Sequence, residues 1–156
     1  VDATYADWLM GLAIEQARLA WELGEVPIGA VVARGDEVLA ACHNRRILDS
    51  DPTAHAELLA IRAAAEVVGD WRLTGCTLAV TLEPCIMCAG AIVLSRLDAV
   101  VYGAADPKAG AVDTLYEVLR DERLNHSPDI LAGVRGEECG ALLTDFFREQ
   151  RAKGKK

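Results

Sequence analysis

The chain lacks what a long, sequence-indifferent grip on nucleic acid requires. Its 16 Lys and Arg are outnumbered by 24 Asp and Glu, a net charge of −8, where such binding wants a basic face. Aromatic residues make up only 5%, too few to stack several bases in succession. No apolar run approaches the roughly 20 residues of a membrane span, and no basic start followed by an apolar core suggests a secretory signal. There is no internal repeat and no linker. The five cysteines show no disulfide framework and read as reduced thiols plus metal ligands, which points to the cytoplasm. What is present is a chain of 156 residues, 52% hydrophobic. That is enough for one domain over 1–156 with a substantial core. Charge is uneven: residues 1–40 hold seven acidic and two basic side chains, and residues 141–156 hold five basic and two acidic. An acidic body with a basic tail suits a small substrate, or a nucleic acid held at one loop.

Apolar periodicity predicts a helix over 5–23, with Trp8, Leu9, Leu12, Ile14, Leu19, Trp21 and Leu23 as its apolar positions. Residues 29–34 and 37–42 read as a hairpin closed by Gly35-Asp36. A polar loop follows, then a helix from about residue 53 to 67 with Thr53 as its N-cap. A strand is expected at 76–81 and a helix from Pro84 to about 95. That second helix is apolar nearly all round and should be covered on more than one side. Further elements are a strand at 98–102, a short helix at 114–120, a strand at 130–134 and a helix at 139–151. Strands alternating with helices after one hairpin imply an α/β fold, a mixed sheet with helices on both faces. Ligands in such sheets collect at the carboxyl ends of the strands.

The chemistry concentrates in Pro84-Cys85-Ile86-Met87-Cys88 and, well upstream, His55-Ala56-Glu57. On a helix Cys85 and Cys88 are i and i+3, so their sulfurs share a face. The helix N-terminus favours thiolates over thiols. With His55 they make two sulfurs and one imidazole with a fourth position open, the donor set of a catalytic zinc site. His55 and Glu57 would point roughly 200° apart in mid-helix, so they can meet at one metal only at a helix end. Each piece has a plainer reading: a C-x-x-C pair is often redox or structural, a lone histidine often caps a loop, and a first-turn glutamate often faces the helix dipole. Taken jointly they point to catalytic zinc. Cys42, Cys76 and Cys139 read as small buried hydrophobes. Were Cys42 a fourth ligand, the site would be closed and structural.

The H-x-E and P-C-x-x-C pair resembles the signature of the zinc-dependent nucleobase deaminases. Flanking segments narrow the resemblance to the TadA-type bacterial tRNA-specific adenosine deaminases of the cytidine deaminase-like superfamily. These are residues 25–30, Asn44-Arg45, residues 51–57, 81–91 and 103–110, Asn125-His126 and residues 145–148. The resemblance implies a three-layer αβα sandwich around a mixed sheet of about five strands, and one Zn2+ per chain on His55, Cys85 and Cys88. It also implies Glu57 as proton shuttle, a homodimer, and deamination of adenosine to inosine at the wobble position of a tRNA anticodon stem-loop. Residue by residue, it implies that Asn44 hydrogen-bonds the flipped nucleotide and that Val26, Pro27 and Ile28 wall the base. Asp106, Lys108, Asn125, His126, Phe147 and Arg148 would lie near the RNA. Arg45, Arg46, Arg151, Lys153, Lys155 and Lys156 are generic phosphate candidates, and the expected footprint is one pocketed base with few neighbours.

Two rival readings remain open from sequence. One is the same chemistry on free guanine, cytosine or cytidine, which the acidic charge favours. The other is a structural zinc protein, against which Glu57 and the missing fourth ligand argue.

Overall fold

The computed structural model describes residues 1–154; Lys155 and Lys156, both named above, lie outside the described residues. Four helices and five strands alternate as α1 (Ala3–Glu22), β1 (Gly29–Arg34), β2 (Glu37–His43), α2 (Ala56–Val68), β3 (Thr77–Leu82), α3 (Ile86–Ser95), β4 (Ala99–Ala104), β5 (Asp129–Leu131) and α4 (Gly136–Ala152). The sheet runs β2-β1-β3-β4-β5. β1 is antiparallel to both neighbours, whereas β3, β4 and β5 are parallel. The expected three-layer αβα sandwich is what forms. α1 and α4 cover one face, where Leu9, Met10 and Ile14 pack with Val31, Val101 and Cys139. α2 and α3 cover the other, where Ile61 and Ile92 pack with Val32, Leu78 and Val100. No helix among the described residues is long and apolar enough to cross a membrane.

The order of strands decides where a ligand can sit. Because β1 runs against β2 and β3, its amino end lies beside the carboxyl ends of β2, β3 and β4: Gly29 is opposite His43, Ala30 opposite Val80, and Leu82 opposite Ala104. Residues 25–28, 44–57, 83–88 and 105–113 therefore gather at one edge of the sheet.

Several expectations shift. α2 starts at Ala56, and the residue before it, His55, is the N-cap. Thr53 is instead held in a turn by Asp51, whose Oδ1 accepts from its N–H at 2.9 Å and its hydroxyl at 2.8 Å. Asp51 thereby holds Thr53 in a turn ahead of the helix, where its carbonyl accepts the His55 N–H at 2.7 Å. Cys85 is likewise the N-cap of α3, which leaves Pro84 just outside the helix. The short helix at 114–120 reduces to a 3-10 turn, Val118–Arg120, and α4 begins three residues earlier than expected, at Gly136. In α1, Trp8, Leu19 and Leu23 point to solvent, since one helix face suffices to cover the sheet. α3 is also less covered than its composition suggests: Ile86 is 58% and Leu94 68% exposed.

α1 sits directly on Gly29. A Cβ there would overlap the Ala13 carbonyl oxygen and come within 2.6 Å of Ala17 N, so glycine is what lets helix and strand touch. Gly29→Ala should therefore lower stability by about 3 kcal/mol, read as a drop in the urea midpoint. An unchanged midpoint would mean that α1 does not seat on β1 at this point.

Candidate metal centre and substrate cavity

α2 and α3 begin at the same place. Their N-caps, His55 and Cys85, have extended backbones, with ψ of 147° and 177°, and neither caps its own helix with its side chain. Both side chains turn instead toward one point. His55 Nδ1 lies 3.5 Å from Cys85 Sγ and 3.6 Å from Cys88 Sγ, and the three ligand atoms fall within 4.8 Å of one another. The cap that His55 forgoes comes from Asn44, whose Oδ1 accepts the Ala56 N–H at 2.8 Å. Asn44 is 2% exposed, and among the described residues its amide NH2 has no protein partner.

The three donors suit a tetrahedral metal with one position open. Two sulfurs and an imidazole nitrogen are the soft-to-borderline set that zinc prefers, and both helix N-termini stabilise the negative charge the sulfurs must carry. Among the described residues no fourth Cys, His, Asp or Glu joins the cluster. Cys42 is on β2 opposite Ala30, packed against the core, while Cys76 and Cys139 are fully buried, as small hydrophobes should be.

The electrostatics are those of a poised site. The hydrogen bond from Cys88, with help from His55, draws the Cys85 thiol down to about 3. Cys88, the donor in that bond, is held protonated: the bond and burial push its thiol far above the ordinary range. His55 is raised, chiefly by its hydrogen bond to Cys85. Glu57 is 4% exposed, and burial lifts its carboxyl to about 7. A carboxyl with that value exchanges protons readily near neutral pH.

The cluster opens onto a cavity of about 680 Å3, room for a nucleoside-sized ligand. Val26, Ile28, Asn44, His55, Glu57 and Cys85 line it together with Asp106, Lys108 and Phe147. Cys88 lies behind, fully buried. Of the phosphate candidates, Arg46 and Arg151 reach the rim, whereas Arg45 is paired with Asp49 at 2.9 Å and Lys153 with Glu149 at 3.3 Å.

Four expected substrate residues do not line this cavity. Pro27 is buried beside it. Arg148 faces outward on α4 with Asp145 at 3.6 Å. Asn125 and His126 lie before β5, where the His126 ring bonds the Leu97 carbonyl. Leu97 precedes β4, so these two residues belong to the opposite end of the sheet from the cluster.

Sequence reading passed over two buried glutamates that shape the cavity walls. Glu25, fully buried, accepts the N–H groups of Ile47 and Leu48 at 2.8 and 3.1 Å. Glu83, 2% exposed, gathers the N–H groups of residues 106 and 112–114. No side-chain pattern marks them, because each is satisfied chiefly by backbone N–H groups far along the chain.

The family model for MafB19-like deaminases matches residues 6–151. The chain belongs to the MafB19-like deaminase family. Within it the resemblance to TadA-type deaminases holds. The chain is 51% identical to the tRNA-specific adenosine deaminase of Bacillus subtilis (strain 168), over 97% of this chain and 94% of that protein. It is 42% identical to the tRNA-specific adenosine deaminase of Haemophilus influenzae, over 99% and 90%. Among solved structures, one from studies of A-to-I editing by tRNA:A34 deaminases at the wobble position of transfer RNA superposes with a TM-score of 0.83. The identity is 44%, with 86% of this chain and 98% of that one covered.

This deaminase, stripped of metal, should show the cost of burying Glu57. Its carboxyl, raised from 4.5 to about 7, favours folding while protonated, and that contribution is lost as pH climbs through about 7. Metal-free Glu57→Gln should match wild type at pH 4 and exceed its unfolding free energy by about 3 kcal/mol at pH 8. Parallel urea curves at both pH values would contradict the assignment.

Proposed function

We infer that this chain is a zinc-dependent hydrolase that deaminates adenosine to inosine at the wobble position of a tRNA anticodon. One observation carries the reading: a buried carboxyl with a value near 7 stands beside a three-donor metal cluster at the bottom of a nucleoside-sized cavity. The tRNA-specific names of relatives that align along nearly the whole chain supply the substrate.

His55, Cys85 and Cys88 would hold the zinc, which when bound would supply Lewis acidity that brings water within reach of deprotonation at neutral pH. Glu57 takes one proton from the attacking water and delivers it to N1 of the adenine. As oxygen bonds to C6, Glu57 carries the second proton to the exocyclic amine, and the C6–N6 bond breaks to release ammonia. Asn44, its oxygen fixed by Ala56, offers its NH2 to the flipped nucleotide. Val26 and Ile28 give the base an apolar wall, with Pro27 backing them. Asp106 and Lys108 flank the nucleotide, and Phe147 offers a ring on which a neighbouring base can stack. Arg46 and Arg151 serve phosphates. An anticodon loop already holds its bases part-way out of a helix, so extruding one is cheap.

The enzyme works as a cytoplasmic homodimer in this reading. The exposed Ile86 and Leu94 of α3 are the face a second copy covers, and Asn125, His126 and Arg148 then serve RNA bound across the two chains.

Two measurements test the proposal. Glu57→Ala should retain one zinc per chain by metal analysis yet lose about 10³-fold in deamination rate; retained activity would assign the proton shuttle elsewhere. On a substrate panel, inosine should form in an anticodon hairpin with adenosine at the wobble position and not from free adenosine, guanine, cytosine or cytidine. Turnover of a free base with the hairpin untouched would keep the zinc chemistry and reject the tRNA substrate.

A further inference from the structure

Glu83 is a carboxyl group in the wrong place for an ordinary surface acid. It is 2% exposed, and among the described residues no Lys or Arg pairs with it. Every side-chain partner it has belongs to a single segment. Its Oε1 accepts the Asp106 N–H at 3.0 Å. Its Oε2 accepts those of Val112, Asp113 and Thr114 at 3.0, 2.8 and 3.2 Å. The Thr114 hydroxyl lies 3.2 Å from both oxygens. A buried carboxyl is costly unless such donors surround it, and here one loop supplies all of them.

The loop closes on Glu83 from the other side as well. Gly110 pairs with Cys85 in an isolated bridge, and Ala111 N–H donates to the Pro84 carbonyl at 2.8 Å. A Cβ on Gly110 would overlap the Glu83 carboxyl carbon and Thr114 Oγ1 and lie 2.5 Å from Oε1. Between these anchors, residues 106–109 bulge into the cavity wall as a turn. Asp106 Oδ1 accepts the Lys108 and Ala109 N–H groups at 3.0 and 3.3 Å, and Pro107 presets the turn. Pro107, Lys108 and Ala109 are exposed, so apolar burial does not hold the turn itself; Ala111 and Val112, just beyond it, are buried in the core. Polar bonds hold the turn: the Asp106 N–H is accepted by Glu83, and the Asp106 carbonyl accepts the Gly110 N–H at 2.9 Å and the Thr114 hydroxyl at 2.8 Å. The segment contributes no atom to the metal cluster and makes no hydrogen bond to Glu57 or Asn44.

We propose that Glu83 is a positioning residue for substrate recognition, fixing the 106–109 wall so that the cavity grips a nucleotide within RNA. The proposal rests on the tRNA deamination reading above. Loss of this anchor frees the wall, which must then be ordered anew at each binding event, while the metal cluster and Glu57 stay in place. The consequence is weaker binding with the chemical step preserved.

The test is steady-state kinetics of the zinc-loaded enzyme on the wobble-adenosine hairpin, with metal content measured on each variant. Glu83→Gln should raise KM about tenfold or more while kcat stays within about threefold and one zinc per chain is retained. Gly110→Ala, which leaves Glu83 intact but drives a methyl into its carboxyl, should give the same split. If Glu83→Gln fails to fold, Thr114 decides. Thr114→Val should raise KM by a smaller factor, and Thr114→Ser, which keeps the hydroxyl, should stay near wild type. Unchanged KM in Gly110→Ala and Thr114→Val, or a fall in kcat and zinc content with KM constant, would overturn the proposal and make Glu83 a support for Cys85. A wild-type enzyme inert toward the hairpin would instead bring down the tRNA reading, and this inference with it.

Discussion

Two helices that start at one point organise this protein. α2 and α3 are separate in sequence and follow different strands, yet their N-caps meet with His55 Nδ1 within 3.6 Å of both sulfurs. The convergence is possible because β1 lies between β2 and β3 and runs against both, which brings the residues before α2 to the edge where β3 delivers Cys85. Each N-cap residue gives up capping its own helix so that its side chain can face the other. The deficit is made good from outside at α2, where Asn44 accepts the orphan Ala56 N–H. One asparagine thereby serves helix stability through its oxygen and faces the cavity through its nitrogen.

Much of this was legible in the residues. The hairpin, the mixed sheet and the three-donor cluster follow from pattern: short apolar runs alternating with helices, a glycine-containing turn, and cysteines three apart behind a proline. The geometric condition on His55 and Glu57, that both must sit at a helix end, is met with α2 starting at Ala56. The cap lies two residues further on than Thr53, a favoured cap by type, because Asp51 holds Thr53 in a turn ahead of the helix. The burial of Glu25 and Glu83 was not legible for a related reason. Their partners are backbone N–H groups 22 to 31 residues away, and backbone donors carry no signature in side-chain identity. Asn125 and His126 lie away from the cavity of their own chain, with the His126 ring on the Leu97 carbonyl, a placement that no local pattern announces.

The two buried glutamates give the cavity its tolerance. Loops around a ligand site carry backbone donors that neither helix nor sheet can satisfy. Here each of two loops is drawn onto a carboxyl buried beneath it, Ile47 and Leu48 onto Glu25, and residues 106 and 112–114 onto Glu83. The loops are thus ordered from below, and the turn at 106–109, which lines the cavity, keeps Pro107, Lys108 and Ala109 exposed.

The layering also separates two kinds of work. His55, Glu57, Cys85 and Cys88 belong to α2 and α3 on one face of the sheet, while Phe147 and Arg151 reach the cavity from α4 on the other. The cavity therefore spans the sheet's edge, with the metal cluster in one layer and the α4 side chains in the other. Such a chain can exchange the residues of α4, and with them what it admits, without moving a single atom of the reacting group: mutation can explore new clients along one helix while the hydrolytic machinery is inherited intact.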